Sequence, residues 1–404
     1  MLGLLPIFRF ENSFSMAQDQ HLFSEFPPHT KAEWEAKVLQ DLKGQSLDRL
    51  NWPIEDDLFL APFYHPEDFK NALPALSANR DWEIGAYVDV QEVKAGNQTV
   101  LEALEGGVEA PLFQLNHQLS GEELTVLLAT IEPTFISTHF AFNYADKMPW
   151  QFFELFTKWL EQQDKSLQDI KGSIDFDPLL DWVRPPVDHL VELIRFCQRS
   201  MPEFRVLQVN AQRFHHGSEN ISHELAFTLA KGNEYLAQLQ EKGIDAATAN
   251  QHLQFSLSTG KSYLLEIAKI RALKLLWRNI LEAYGATGDA FVVTHLAKAS
   301  QDENIYTNMI RAATQAMSAA SGGANRVYVL PADHSIEVPS TAFTQRIARN
   351  VQHLLKMESY LHRVADPAAG SYYIEHLTRE LATKAWNRFL ELDEKRVFYA
   401  KPDK

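Results

Sequence analysis

The 404-residue sequence holds a single cysteine, Cys197, so no internal disulfide can form, and no Cys/His spacing resembles a zinc site. A lone thiol fits a reducing compartment, and a cytoplasmic location is expected. Positive charge is scarce as well: 38 Lys and Arg against 53 Asp and Glu leave a formal charge of -15. Nucleic acids and anionic membranes are bound by clustered Lys and Arg, so the expected partners are proteins or small molecules. No apolar run reaches the length that spans a bilayer, and the apolar start, broken at Pro6, lacks the basic region and cleavage site of a signal peptide. Familiar chemical signatures are missing too. There is no Gly-x-x-x-x-Gly-Lys-Ser/Thr loop, no Gly-x-Ser-x-Gly elbow, no His-Glu-x-x-His helix and no Gly-x-Gly-x-x-Gly turn after an early strand.

What is present is a large potential core, with 45% hydrophobic and 23% charged residues. After Trp82 apolar runs of strand length recur at 83–88, 110–116, 134–142, 172–176, 204–209, 252–257, 290–294 and 326–330. Helical periodicity fills most of the gaps, over 121–131, 149–163, 187–200, 219–242, 262–284 and 304–321, and again over 343–361. Strands alternating with helices imply a parallel sheet, and eight such units in about 250 residues are the size of a closed (β/α)8 TIM barrel. An open doubly wound sheet is the alternative. The densest motifs lie between Ile310 and Trp386, where an Ala-rich helix is predicted to stop at Gly322-Gly323. On the helix 262–284, Ile267, Ile270, Leu273 and Trp277 form the sheet-facing side, with Glu266, Lys269 and Lys274 elsewhere.

The organisation expected is an N-terminal extension and arm over 1–80, a barrel over 81–392 and a tail over 393–404. Residues 1–15 read as a tail before an ordinary soluble start at Met16. The Pro-interrupted aromatics Trp34, Trp52, Phe63 and Tyr64 suit an arm laid on a partner or on the home barrel. Two places could carry chemistry. His215 sits where a strand meets a helix, the barrel face that bears catalytic groups, and could act as a general acid or a donor to a carbonyl. Asp175 and Asp177 close the fourth strand, where paired carboxylates serve acid/base work or merely cap. His216 and His223 lie near His215, but no carboxylate stands at ligand spacing, so no metal site is expected.

Longer motifs narrow the field. Glu266-Ile-Ala-Lys-x-Arg-Ala272, Arg346-Ile-Ala-Arg-Asn-x-Gln352, Arg363-Val-Ala-Asp-Pro-x-x-Gly-Ser-Tyr-Tyr-Ile-Glu375 and Glu380-Leu-Ala-x-Lys-Ala-Trp386 resemble the methylmalonyl-CoA mutase family over nearly the whole chain. That resemblance implies a barrel that binds acyl-CoA along its axis. It also implies a separate flavodoxin-like domain presenting adenosylcobalamin, whose radical chemistry moves a carbonyl-thioester group. The departures are equally specific. Catalytic chains resemble Trp-Thr-Ile-Arg-Gln-Tyr-Ala-Gly at the first strand, whereas Trp82-Glu-Ile-Gly-Ala-Tyr-Val-Asp89 keeps Tyr87 and loses the Arg and Gln. Ser173-Ile-Asp-Phe-Asp177 has Asp175 where they resemble Thr-Ile-Gln-Asn-Asp, and Thr294-His-Leu-Ala-Lys298 keeps His295 without the following Gln. The loop after the second strand is short, as is the pattern around His215, and no Asp-x-His-x-x-Gly cobalamin signature exists.

Phe214-His-His-Gly-Ser-Glu-Asn-Ile221, Gly232-Asn-Glu-Tyr-Leu236 and Glu358-Ser-Tyr-Leu361 are closer to small-subunit patterns of that family. The resemblance therefore implies a non-catalytic small subunit partnered by a large catalytic one in a heterodimer. Tyr87, Asp175, His215 and His295 would be vestigial mouth residues, and the complex, not this chain alone, would bind adenosylcobalamin and the acyl-CoA. An active barrel working with a separate cobalamin-binding subunit is the alternative. Family members continue through Gly-Gly into a second domain, so residues after about Arg396 are expected to be held only by the barrel, if at all.

Overall fold

The computed structural model describes residues 26–55, 58–69, 73, 81–334 and 340–398. The chain divides after Asn51 into two compact units. In the first, helix α1 (Lys31–Asp41) opens on a capping box: the Thr30 hydroxyl accepts from the Glu33 amide at 3.2 Å, and the Glu33 carboxylate accepts from the Thr30 amide at 2.9 Å. The segments 1–25 and 399–404, which carry the expected leading tail and the chain end, lie outside the described residues.

The second unit begins with an antiparallel hairpin, β1 (Trp52–Glu55) and β2 (Leu58–Leu60). Nine parallel strands follow: β3 (Glu83–Val90), β4 (Ala110–Leu115), β5 (Ser137–Phe142), β6 (Lys171–Ile174), β7 (Phe204–Arg205), β8 (Leu207–Asn210), β9 (Leu253–Thr259), β10 (Val292–Leu296) and β11 (Arg326–Tyr328). Their order is β7-β6-β5-β4-β3-β11-β10-β9-β8. Only Val206 separates β7, which pairs with β6, from β8, which pairs with β9, so the two are halves of one stave. Joining them closes the sheet into the (β/α)8 barrel. All eight expected strands form, with ends displaced by at most three residues.

Outside the strands lie α2 (Val93–Glu105), α3 (Gly121–Leu127), α4 (Pro149–Gln162), α5 (Pro178–Asp181), α6 (Val187–Ser200), α7 (Ile221–Glu241), α8 (Ala246–Gln251), α9 (Tyr263–Ala283), α10 (Ile305–Gly322), α11 (Ala342–His353) and α12 (Tyr372–Glu394). The α10 stop is the one the Gly pair predicts, with Gly323 left-handed at φ 88°. Periodicity predicts no helix where α2 stands, because Gly96 and Thr99 dilute its helical preference. Tertiary packing overrides that: a side chain at Gly96 would press on Leu127 and Val90, so the glycine lets α2 lie close. The predicted helix 343–361 is instead α11 followed by a π-helical turn, Leu354–Glu358, and a left-handed Tyr360.

The largest departure concerns α9. Its apolar side does face the strands, yet Glu266, Lys269, Arg271 and Lys274 are buried as well, because α7, α10 and α12 cover the opposite side. Helix α12 starts at Tyr372, inside the Arg363-to-Glu375 motif, and lies along both α7 and α9. The hairpin joins this layer: Ile54, Leu58 and Leu60 enter the main core, and Glu55 accepts from the Ser222 amide at 2.8 Å and faces Lys384 at 3.0 Å. Tyr64 packs on α12, its ring 4.5 Å from His376, whereas Trp52 stays 68% exposed. At the other end Phe398 packs against Phe214 and Phe227.

Candidate functional site

Along β3, residues alternate between the helix layer and the barrel lumen: Val88 and Val90 join the main core, while Glu83, Gly85 and Tyr87 look inward. On the neighbouring staves β11 and β10, Arg326, Tyr328, Val293 and His295 do the same. The lumen is therefore polar below and aromatic above. At the lower level Arg326 pairs with Glu83 at 2.7 Å, and Ser137 hydrogen-bonds the same carboxylate. Burial alone would raise the Glu83 carboxyl; Arg326 and Ser137 outweigh it and hold it below the ordinary range. Beside them Gln254 donates to Ser173 (3.1 Å) and Gln208 (2.8 Å), and Ser173 bonds His139 Nδ1 at 2.9 Å.

At the upper level Tyr87, His295 and Tyr328 form one aromatic cluster. The Tyr87 hydroxyl lies 2.8 Å from His295 Nδ1, and the His295 ring stacks on Tyr328 with centroids 4.8 Å apart and planes 14° apart. Burial, reinforced by Arg326 and Lys298, pushes His295 down to about 3, and burial pushes the Tyr87 phenol well above its usual value. The pair is thus a neutral phenol and a neutral imidazole. Tyr328 occupies the space that a side chain on Gly85 would need: a Cβ there would come within 2.5 Å of the Tyr328 ring. Gly85 stands at the position where catalytic chains resemble Arg, so the small residue and the large ring across from it are complementary.

Asp175 belongs to this upper lumen, electrostatically coupled to Tyr87 and Tyr328. Burial raises its carboxyl to about 7, against the lowering effects of Gln208, Lys147 and Arg326. Of the four anticipated residues Tyr87 and His295 therefore meet, with Asp175 acting on Tyr87 electrostatically. His215 does not join them. Its Nδ1 bonds Glu224 at 2.8 Å, and Glu224 is shared with Lys269, itself 2.7 Å from Glu266. Asp177 also parts from Asp175: it takes the Tyr235 hydroxyl at 2.6 Å, the Asn210 amide at 2.8 Å and the Lys231 ammonium, pinning the strand end to α7.

Residues 119–397 match the sequence model described as methylmalonyl-CoA mutase. The chain belongs to the methylmalonyl-CoA mutase family. It is 30% identical, over 93% of its length, to a methylmalonyl-CoA mutase small subunit of Porphyromonas gingivalis. It is 28% identical over 92% to a small subunit of Propionibacterium freudenreichii subsp. shermanii, and 29% identical over 89% to a methylmalonyl-CoA mutase of Cereibacter sphaeroides. The chain spans 65%, 63% and 58% of those three proteins. Among solved structures it is similar to a dihydropteroate synthase of Xanthomonas albilineans, with TM-score 0.40 and 14% identity over 69% of this chain and 92% of that one.

Members of this mutase family imply adenosylcobalamin, and the mouth residues of this chain do not fit a corrin. His215 is tied to Glu224, while His295 is tied to Tyr87 and covered by Tyr328. Among the described residues no three metal-ligating side chains gather. The residues that sequence reasoning missed are Tyr328, Arg326 and Glu83. For Glu83 and Arg326 the signal was there to be read, since a Glu and an Arg inside short strands are accommodated by facing a lumen rather than a helix layer.

Proposed function

We propose that the chain is the small, non-catalytic subunit of an adenosylcobalamin-dependent methylmalonyl-CoA mutase, paired with a large catalytic subunit that interconverts methylmalonyl-CoA and succinyl-CoA. The observation that carries this reading is the Tyr328 ring seated over Gly85, with His295 stacked and Tyr87 packed against it. A thioester threaded along the axis would have to displace all three. In the complex the cofactor supplies the radical chemistry, and protein groups supply binding, orientation and exclusion of water. Here Tyr87 and His295 are hydrogen-bonded to each other and packed on Tyr328 instead. Each lost positioning donor costs on the order of 10²–10³ in rate, so several losses together remove turnover from this barrel. Support for a partner comes from the small-subunit name carried by the relatives, and the cytoplasmic assignment rests on the lone, buried Cys197.

One observation favours the alternative of an active barrel: Asp175 titrates near neutrality beside the Tyr87 phenol, as a general acid or base would. A single experiment separates the two readings. The purified chain is assayed with methylmalonyl-CoA and adenosylcobalamin alone, with a cobalamin-binding subunit, and with the large catalytic subunit. Stable association and turnover only with the large subunit is the expected result. Turnover with the cobalamin-binding subunit alone would establish the alternative.

A further inference from the structure

The C-terminal end of β6 carries a cluster of charges that the aromatic cluster of the lumen does not use. Lys147, in the loop 143–148 between β5 and α4, pairs at 2.9 Å with Asp181, the last residue of α5, and each side chain is less than a quarter exposed. The Lys147 ammonium also lies 6.0 Å from the centre of the Trp182 ring, which packs edge-to-face on Phe176 at 5.5 Å. Asp146, just before Lys147, is left-handed at φ 54° without being a glycine, so the loop keeps its shape against local strain. The ion pair and the ring contact thus pin a strained loop to α5. Met148, the next residue of that loop, is 39% exposed.

Asp175 competes for the same ammonium. It stands between β6 and α5 with an edge open to solvent, and a charge on it is attracted by Lys147 and repelled by Asp181. Gln208 of β8, Arg326 and Tyr328 of β11 and Tyr87 of β3 also face it. Arg326 is committed to Glu83 at 2.7 Å, and both phenols are held neutral by burial, so among these groups Lys147 is the cation that can answer a charge on Asp175. Asp181 faces Lys231 and Tyr235 of α7 as well, so it keeps a positive neighbour when Lys147 leaves. The four-carbon lysine stem is flexible enough to serve either carboxylate.

We propose that the loop 143–148 is a latch: Lys147 holds Asp181 while Asp175 is protonated, and turns to Asp175 when that carboxyl ionises, carrying the loop toward the end of the lumen. Because the Asp175 carboxyl is raised to about 7, acid favours the Asp181 pair and alkali the Asp175 pair, with the exchange near neutrality. The latch does not depend on the role of the subunit.

Methyl NMR of the full chain, labelled with 13C at its methionine methyls, tests the latch, with the Met148 resonance assigned from Met148→Leu. Between pH 5 and pH 9 that resonance is expected to move with a midpoint near 7. Asp175→Asn should abolish the movement and leave the resonance at its low-pH position. Lys147→Gln should abolish it too, and because it removes only a partly exposed ion pair, worth little to stability, the variant stays folded. A Met148 resonance that does not move in the parent, or that titrates unchanged in Asp175→Asn or in Lys147→Gln, overturns the proposal.

Discussion

The helix layer of α7, α9 and α12 and the lumen inside the strands both bury charged side chains, but they treat them differently. In the helix layer nearly every long motif shared with the mutase family becomes a structural clamp. Arg271, from the Glu266-to-Ala272 motif, reaches Asp366 and Glu375 of the Arg363-to-Glu375 motif, and Lys269 joins Glu266 to Glu224. These ion pairs tie α9 to the start of α12 and to α7. In the lumen, positions where the family pattern holds Arg and Gln have become Gly85 and Ala86, and the freed space is refilled by Tyr328. The helix layer carries the resemblance, and the lumen carries the departures from it. Long motifs mark what holds this barrel together, and function is read from the short departures between them.

If that contrast is right, the largest effect comes from breaking a clamp. Arg271→Ala strands two buried carboxylates, and denaturant unfolding should show a loss of about 3–5 kcal/mol. An apolar isostere, Arg271→Met, should lose at least as much, because Asp366 and Glu375 remain buried without their partner. A loss below about 1 kcal/mol would mean that α9 and α12 are held by apolar packing alone.

In the lumen the sharpest probe is a double-mutant cycle. Gly85→Ala drives a Cβ into the Tyr328 ring and should cost about 1–3 kcal/mol by overpacking. The same substitution made in a Tyr328→Val background should cost much less, so the two changes couple favourably. Independent, additive effects would show that the small residue and the large ring are not complementary.

The smallest effect is a pH dependence. Folding raises Asp175 to about 7 from an unfolded value of about 3.9, so the folded chain binds its proton more tightly. Its stabilising contribution is complete below about pH 4 and is lost as pH rises through 7. Asp175→Asn removes that loss. Thermal unfolding should show the variant matching the parent at pH 4 and exceeding it at pH 8, by on the order of 1 kcal/mol. A variant advantage at pH 4 that disappears at pH 8 would reverse the assignment.

Much of the frame was legible beforehand because strand and helix periods alternate cleanly after Trp82, and because Gly323 stops α10 where a left-handed residue is cheapest. The covered face of α9 was not legible. Lys269, Arg271 and Lys274 look like a solvated side in the sequence, and their carboxylate or carbonyl partners come from α7, α10 and the turn before α12. The site was legible only in part. Tyr87 and His295 do meet, with Asp175 acting on Tyr87 electrostatically, but His215 is drawn aside by Glu224, nine residues on, a pairing that depends on how the strand end turns into α7. Tyr328 was invisible as a site residue because an apolar strand ending in tyrosine is ordinary in any barrel.

The account stands on the claim that the barrel axis is closed to acyl-CoA. Calorimetric titration of methylmalonyl-CoA into the purified chain, with Gly85→Ala and Tyr328→Ala variants alongside, tests it directly. The account predicts no saturable heat in the parent or in Gly85→Ala, and the appearance of binding only when Tyr328 is removed. Saturable binding to the parent chain that is weakened by Gly85→Ala would place the ligand on an open axis and contradict it.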